Sequence, residues 1–106
     1  MAFTQKVLAE GQLAAAKATL YTVPGSTTTL IKTIILVNTD TVTRTINIYV
    51  RPGATSRRIW GKDYSMAAGE QTQMDLNISL EAGDLLEGDA SAATVVDYFV
   101  SGVEVT

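Results

Sequence analysis

Between Arg44 and Arg51 apolar and polar positions alternate without a break. Ile46, Ile48 and Val50 share one side, and Asn47, Tyr49 and Arg51 share the other. A period of two marks a strand with one face buried and the other in water. The same alternation returns further on, where Met74, Leu76, Ile78 and Leu80 oppose Asp75, Asn77 and Ser79. Thr19–Val23, Thr28–Val37, Arg57–Tyr64, Leu85–Asp89 and Thr94–Val105 are the other β-prone runs. Turn signals separate them: Pro24-Gly25, Asn38–Thr41, Pro52-Gly53, Met66–Glu70 and Glu81–Asp84. No segment has the length and period of a crossover helix. The pattern therefore predicts an all-β chain: one antiparallel, jelly-roll-like β-sandwich of seven to eight strands over residues 18–106.

Two strands break the one-sided rule. Ile31, Ile35 and Val37 oppose Leu30, Ile34 and Leu36, and Val95, Phe99 and Val103 oppose Val96, Tyr98 and Val100. Apolar residues on both faces imply burial on both sides. In a small two-sheet domain one of those sides is expected to meet another subunit, unless sheet curvature buries both within one chain.

Residues 1–17 read differently. "LAEGQLAAAKA" is Ala-rich and lacks strand alternation, so a short helix or an extended N-terminal arm is expected. A terminal segment frays unless something holds it. The alternative is an arm that docks on a neighbouring subunit through Phe3, Val7, Leu8 and Leu13. The turns at Pro24-Gly25, "AAGE" (Ala67–Glu70) and "EAGD" (Glu81–Asp84) each place Gly where a positive φ is expected. The last two, fourteen residues apart, are too isolated for a solenoid repeat and read as one turn chemistry used twice.

Composition narrows the function classes. With 106 residues the chain is one domain, and 46% hydrophobic against 18% charged residues argues against disorder. No apolar run reaches the ~20 residues of a membrane helix. The N-terminus lacks a signal-peptide core, so synthesis in the cytoplasm without processing is expected. There is no Cys, hence no disulfide or thiolate metal site, and no His, hence no common general base or transition-metal ligand.

Charge is segregated along the chain. Up to Lys62, eight basic residues against Glu10 and Asp40 give +6; from Asp63 on, nine acidic residues and no basic ones give −9. No nucleic-acid partner is expected, because phosphate binding needs a basic face. Either the charges mix on the folded surface, or opposite patches meet across subunits.

Few residues are candidates for chemistry. Asp84, Glu87 and Asp89 lie close in "GDLLEGDAS", but the spacing is not that of a calcium loop and carboxylates beside glycines are ordinary at solvated turns. No catalytic, cofactor-binding or metal-binding residue is assigned. Trp60 and Tyr64, beside Arg57 and Arg58, are of types enriched at binding hot spots. They read as core, as an interface anchor, or as an aromatic platform for a sugar, with the arginines as edge-strand charges under the first reading. Tyr98 and Val100 of the last strand join the candidate interface.

The order of these motifs resembles a known group. "TLYTVP" before a Gly/Thr corner, "IKTIILVNTD", "AAGE" before an alternating strand, and "LEAGDLLEG" leading into a Val-rich strand ending "SGVE" are similar to small structural proteins encoded in tailed-phage morphogenesis regions. The resemblance runs from about Glu10 to the end. It implies a non-enzymatic virion component with a β-sandwich core, present in many symmetric copies: a capsid decoration (cement) protein, or a neck, tail or fibre protein. Expected partners are copies of itself, as a dimer or trimer, and the major capsid protein or other virion proteins. The family's motifs are turns and strands, so no functional residue carries over. The absence of a second, receptor-binding-like domain departs from a fibre protein.

Overall fold

In the computed structural model, which describes residues 2–106, every regular element is a strand. In order these are β1 (Phe3–Gln12), β2 (Ala18–Thr22), β3 (Thr28–Asn38), β4 (Arg44–Arg51), β5 (Arg57–Arg58), β6 (Tyr64–Met66), β7 (Gln71–Leu80), β8 (Leu85–Ala90) and β9 (Val96–Val105). One antiparallel sheet has the order β1-β9-β3-β7. The other has β2-β8-β4-β5, with β6 also pairing β4.

The pairing scheme shows how the chain is wound. The first strand pairs with the last, β2 with β8, β3 with β7, and β4 with both β5 and β6. That is a long antiparallel hairpin rolled over itself, so that β9 also lies beside β3 and β8 beside β4. With β5 and β6 counted as one interrupted strand, the arrangement is an eight-stranded jelly roll. The expected Arg57–Tyr64 strand is broken because, after Ile59 N–H donates to Ile48 O, residues 60–63 leave the ladder, with Asp63 at φ 49°.

Residues 3–12, expected as an arm or a short helix, form a sheet strand instead. β1 pairs along its length with β9, from Phe3 opposite Val105 to Gln12 opposite Asp97, with a bulge between Val7 and Ala9. Beyond its end the ladder closes with Ala2 N–H to Thr106 O at 3.0 Å and Thr106 N–H to Ala2 O at 2.9 Å. Leu13 then turns into the core, its N–H donating to Val96 O.

The core lies between the sheets. Ile31, Ile34, Leu36, Met74, Val96 and Val100 from one face Tyr21, Ile46, Ile48, Val50 and Leu86 from the other. Strict alternation puts Ile31 on the same side as Ile35 and Val37. A bulge at Lys32 reverses the parity, so Ile31 joins Ile34 and Leu36 in the core while Ile35 and Val37 face outward. At Gly102 the sheet admits no side chain: an added Cβ would lie 2.2 Å from Leu30 O.

The two Gly turns are one device. In each, the fourth residue's N–H donates to the first residue's carbonyl (Glu70 to Ala67, Asp84 to Glu81), and the fourth residue's carboxylate accepts the first residue's N–H at 2.9 Å. Gly69 (φ 75°) and Gly83 (φ 88°) supply the left-handed third position. Each turn also docks on a strand end through two backbone bonds, the first on Asn38 and the second on Val23. The Pro24-Gly25 corner differs from expectation: the positive φ falls on Ser26 (57°), not on Gly25.

Candidate assembly interface

The outer face of the four-stranded sheet follows from register and parity. Val100 and Gly102 of β9 point inward, so Phe99, Val103 and Val105 point out. On β1 Phe3 stands opposite Val105 and Val7 opposite Ser101, and on β3 Leu30 stands opposite Val103, Ile35 opposite Phe99 and Val37 opposite Asp97. Phe3 is 71% exposed, Val7 46% and Phe99 42%. Three adjacent strands thus carry an apolar surface that no other part of the described chain covers. The fourth strand, β7, sets polar Gln71, Gln73 and Ser79 opposite Val37, Ile35 and Leu30, so it borders the apolar surface with a polar edge.

At one end of this face is a cavity of about 350 Å3. Ile35, Val37, Tyr98 and Phe99 give it apolar and aromatic lining, while the exposed Glu10, Gln12 and Asp97 supply polar atoms. Gln12 Nε2 donates to Asp97 Oδ1 at 3.0 Å. Among the described residues no cation pairs with Glu10 or Asp97. Burial, and secondarily the negative charge of Glu10, push the Tyr98 hydroxyl up from its usual value.

The opposite side of the sandwich is polar and covered. Asn47 and Tyr49 were expected in water but are buried beneath the excursion between β4 and β6. Asn47 Nδ2 donates to Asp63 and Asp89, both at 3.0 Å, and Tyr49 donates to Asp89 at 2.8 Å. Lys17 and Arg58 each lie 5.1 Å from the centre of the Tyr49 ring. Burial and then the Asp89 hydrogen bond raise the Tyr49 pKa. Ser56 donates to the buried Glu87 at 2.5 Å. Glu87 and Asp89 therefore sit in strand β8 under a loop rather than in a solvated turn. Only Asp84 keeps the expected turn role. The three carboxylates are each engaged by donors from different elements, and no metal-competent cluster of His, Cys, Asp or Glu exists among the described residues.

The candidate interface residues divide. Phe3 and Val7 are on the apolar outer face, and Arg57 and Arg58 are exposed on β5. Leu8 and Tyr98 are half-buried and pack on the core. Leu13 and Val100 are fully buried within the chain, which removes both from any surface. Each contributes about 1.5–3 kcal/mol there as a buried aliphatic side chain. Trp60 and Tyr64 pack against the core with their rings edge-to-face, centroids 5.8 Å apart at 71°. The Trp60 indole N–H is buried without a partner. This geometry offers no flat sugar platform. Sequence reading missed Ile35 and Val37 as neighbours of Phe99 in one cavity. Their place beside Phe99 depends on the β3–β9 register, which sets Ile35 opposite Phe99.

No family model matches the chain, and no curated protein matches it by sequence. Among solved structures, a chain in the structure of infectious bursal disease virus, Gx strain, is similar to it. The TM-score is 0.55 at 17% identity, over 97% of this chain and 32% of that one. The likeness is one of fold. This chain spans about a third of the length of the viral chain it matches.

Proposed function

We propose that the protein is a non-enzymatic virion structural protein of the tailed-phage kind, a capsid decoration (cement) protein that associates with its own copies and with the shell. The uncovered apolar outer face of β1, β9 and β3 carries this reading. Exposed apolar side chains gathered on one face mark an interaction surface. The fold of the viral neighbour and the resemblance in turn and strand motifs support the same class. The mechanism is adhesive. Burying Phe3, Val7, Phe99 and their neighbours on assembled sites stabilises the shell by mass action, because the protein binds only the assembled state.

Light scattering of the purified protein, alone and mixed with undecorated phage capsids, tests the reading. A closed oligomer that adds to capsids is the expected result. A monomer that ignores capsids would overturn decoration and leave a neck or tail role to be tested.

A further inference from the structure

The geometry points to Arg57 of a second copy as the occupant of the cavity between β1, β3 and β9, held by Glu10 and Asp97. This deepens the self-association reading above and rests on it. The cavity combines two exposed carboxylates that lack a cationic partner among the described residues with the ring of Phe99 and the aliphatic wall of Ile35 and Val37. Carboxylates beside an aromatic ring and an apolar wall suit a cation on an apolar stem: the charge meets the carboxylates and the Phe99 ring while the stem lies on the wall.

The same chain holds the complement. Lys17, Arg51, Arg57, Arg58 and Lys62 lie in or beside the five-stranded sheet and the excursion beyond β4, together with Asp63, Glu87 and Asp89. The four-stranded sheet carries Glu10, Asp75 and Asp97 with Lys6, paired to Glu104, and Lys32 at the β3 bulge. Arg58 is engaged with Tyr49 and Asn47, and Lys17 with Tyr49 and Ser56. Arg57 is exposed and makes no ion pair or side-chain hydrogen bond among the described residues. A planar guanidinium binds carboxylates in two-point fashion, and arginine is enriched at interfaces where lysine is depleted. That selects Arg57 over the exposed Lys62, and its exposure selects it over the half-buried Arg51. Arg57 and the cavity belong to opposite sheets, so the contact joins two copies.

The test is a charge swap read by sedimentation or light scattering over a concentration series. Arg57→Glu and Asp97→Arg are each expected to weaken association at least tenfold. The double variant is expected to recover most of it, and Lys62→Glu to leave it unchanged. Circular dichroism checks that each variant keeps its sheet content, and Arg57→Ala serves if the reversal does not fold. Unchanged association of Arg57→Glu or Arg57→Ala, or a double variant no better than the singles, overturns the Arg57 contact while self-association stands. A wild-type chain that stays monomeric at every concentration overturns the self-association reading itself.

Discussion

The Tyr21 hydroxyl donates to Glu104 Oε2 at 2.5 Å, tying β2 of one sheet to β9 of the other. Its proton is thereby committed, so the 2.8 Å contact with Thr29 Oγ1 has the threonine as donor. Lys6 lies 3.4 Å from the other Glu104 oxygen. Tyr21→Phe removes the donor and leaves a partly covered carboxylate, so a loss of about 1–3 kcal/mol is expected in urea unfolding at neutral pH.

The same pair sets opposite pH limits. Burial and then the Glu104 hydrogen bond raise Tyr21 to about 12. Its contribution is complete below the unfolded value near 10 and is lost as pH rises through about 12. Glu104 is lowered, first by the Tyr21 hydrogen bond, so its contribution holds above the ordinary carboxylate range and fades as pH falls below it. Tyr21, Tyr49 and Tyr98 are all raised. Ultraviolet titration of phenolate should therefore show most of the four tyrosines ionising late and together with unfolding. Early titration of three of them would contradict the buried placements.

Gly102→Ala should be among the most damaging single-methyl additions available to this chain. The new carbon would collide with the Leu30 carbonyl, a backbone atom that moves only if β3 and β9 separate. A loss near the upper end of overpacking penalties, about 3 kcal/mol, is expected in chemical denaturation. Gly25→Ala, with nothing within 4 Å of its added Cβ, is the control and should change stability little.

The paired turns predict paired costs. Gly69→Ala and Gly83→Ala each force an alanine into left-handed backbone, about 1–2 kcal/mol. The turns stand on different corners, so the double variant should lose the sum of the singles. A marked departure from additivity would mean the corners communicate through the sheets.

Exposed apolar residues should matter for association and not for folding. Phe3→Ser and Phe99→Ser are expected to shift unfolding free energy by about 0.5 kcal/mol or less, as surface changes do, while lowering the oligomer's mass at a given concentration. If either variant unfolds the monomer, that face is part of the intramolecular core instead.

Arg44–Arg51 was legible to the residue because its alternation is local and uninterrupted. β1 was not, because what makes it a strand is β9, whose pairing residues begin at Asp97. Tertiary contact also defeated the reading of Asn47 and Tyr49: their polar alternation is real, but a later loop covers them. Lys32 shows a subtler failure. One bulged residue puts Ile31 and Ile35 on opposite faces, and no period-two rule detects it. The apolar surplus of β3 and β9 was visible as a pattern. Which members line a common cavity was not, since that depends on three strands drawn from both ends of the chain.

The mutual hydrogen bonds between Ala2 and Thr106 bring residues 2 and 106 to one corner of the roll. A short linker across that corner, with a new opening at the exposed Gly53–Ala54, would yield a circular permutant with the same sheets in a different chain order. For the same reason, a peptide grafted at either extremity would emerge from the same corner. Two grafts on one molecule would then stand side by side.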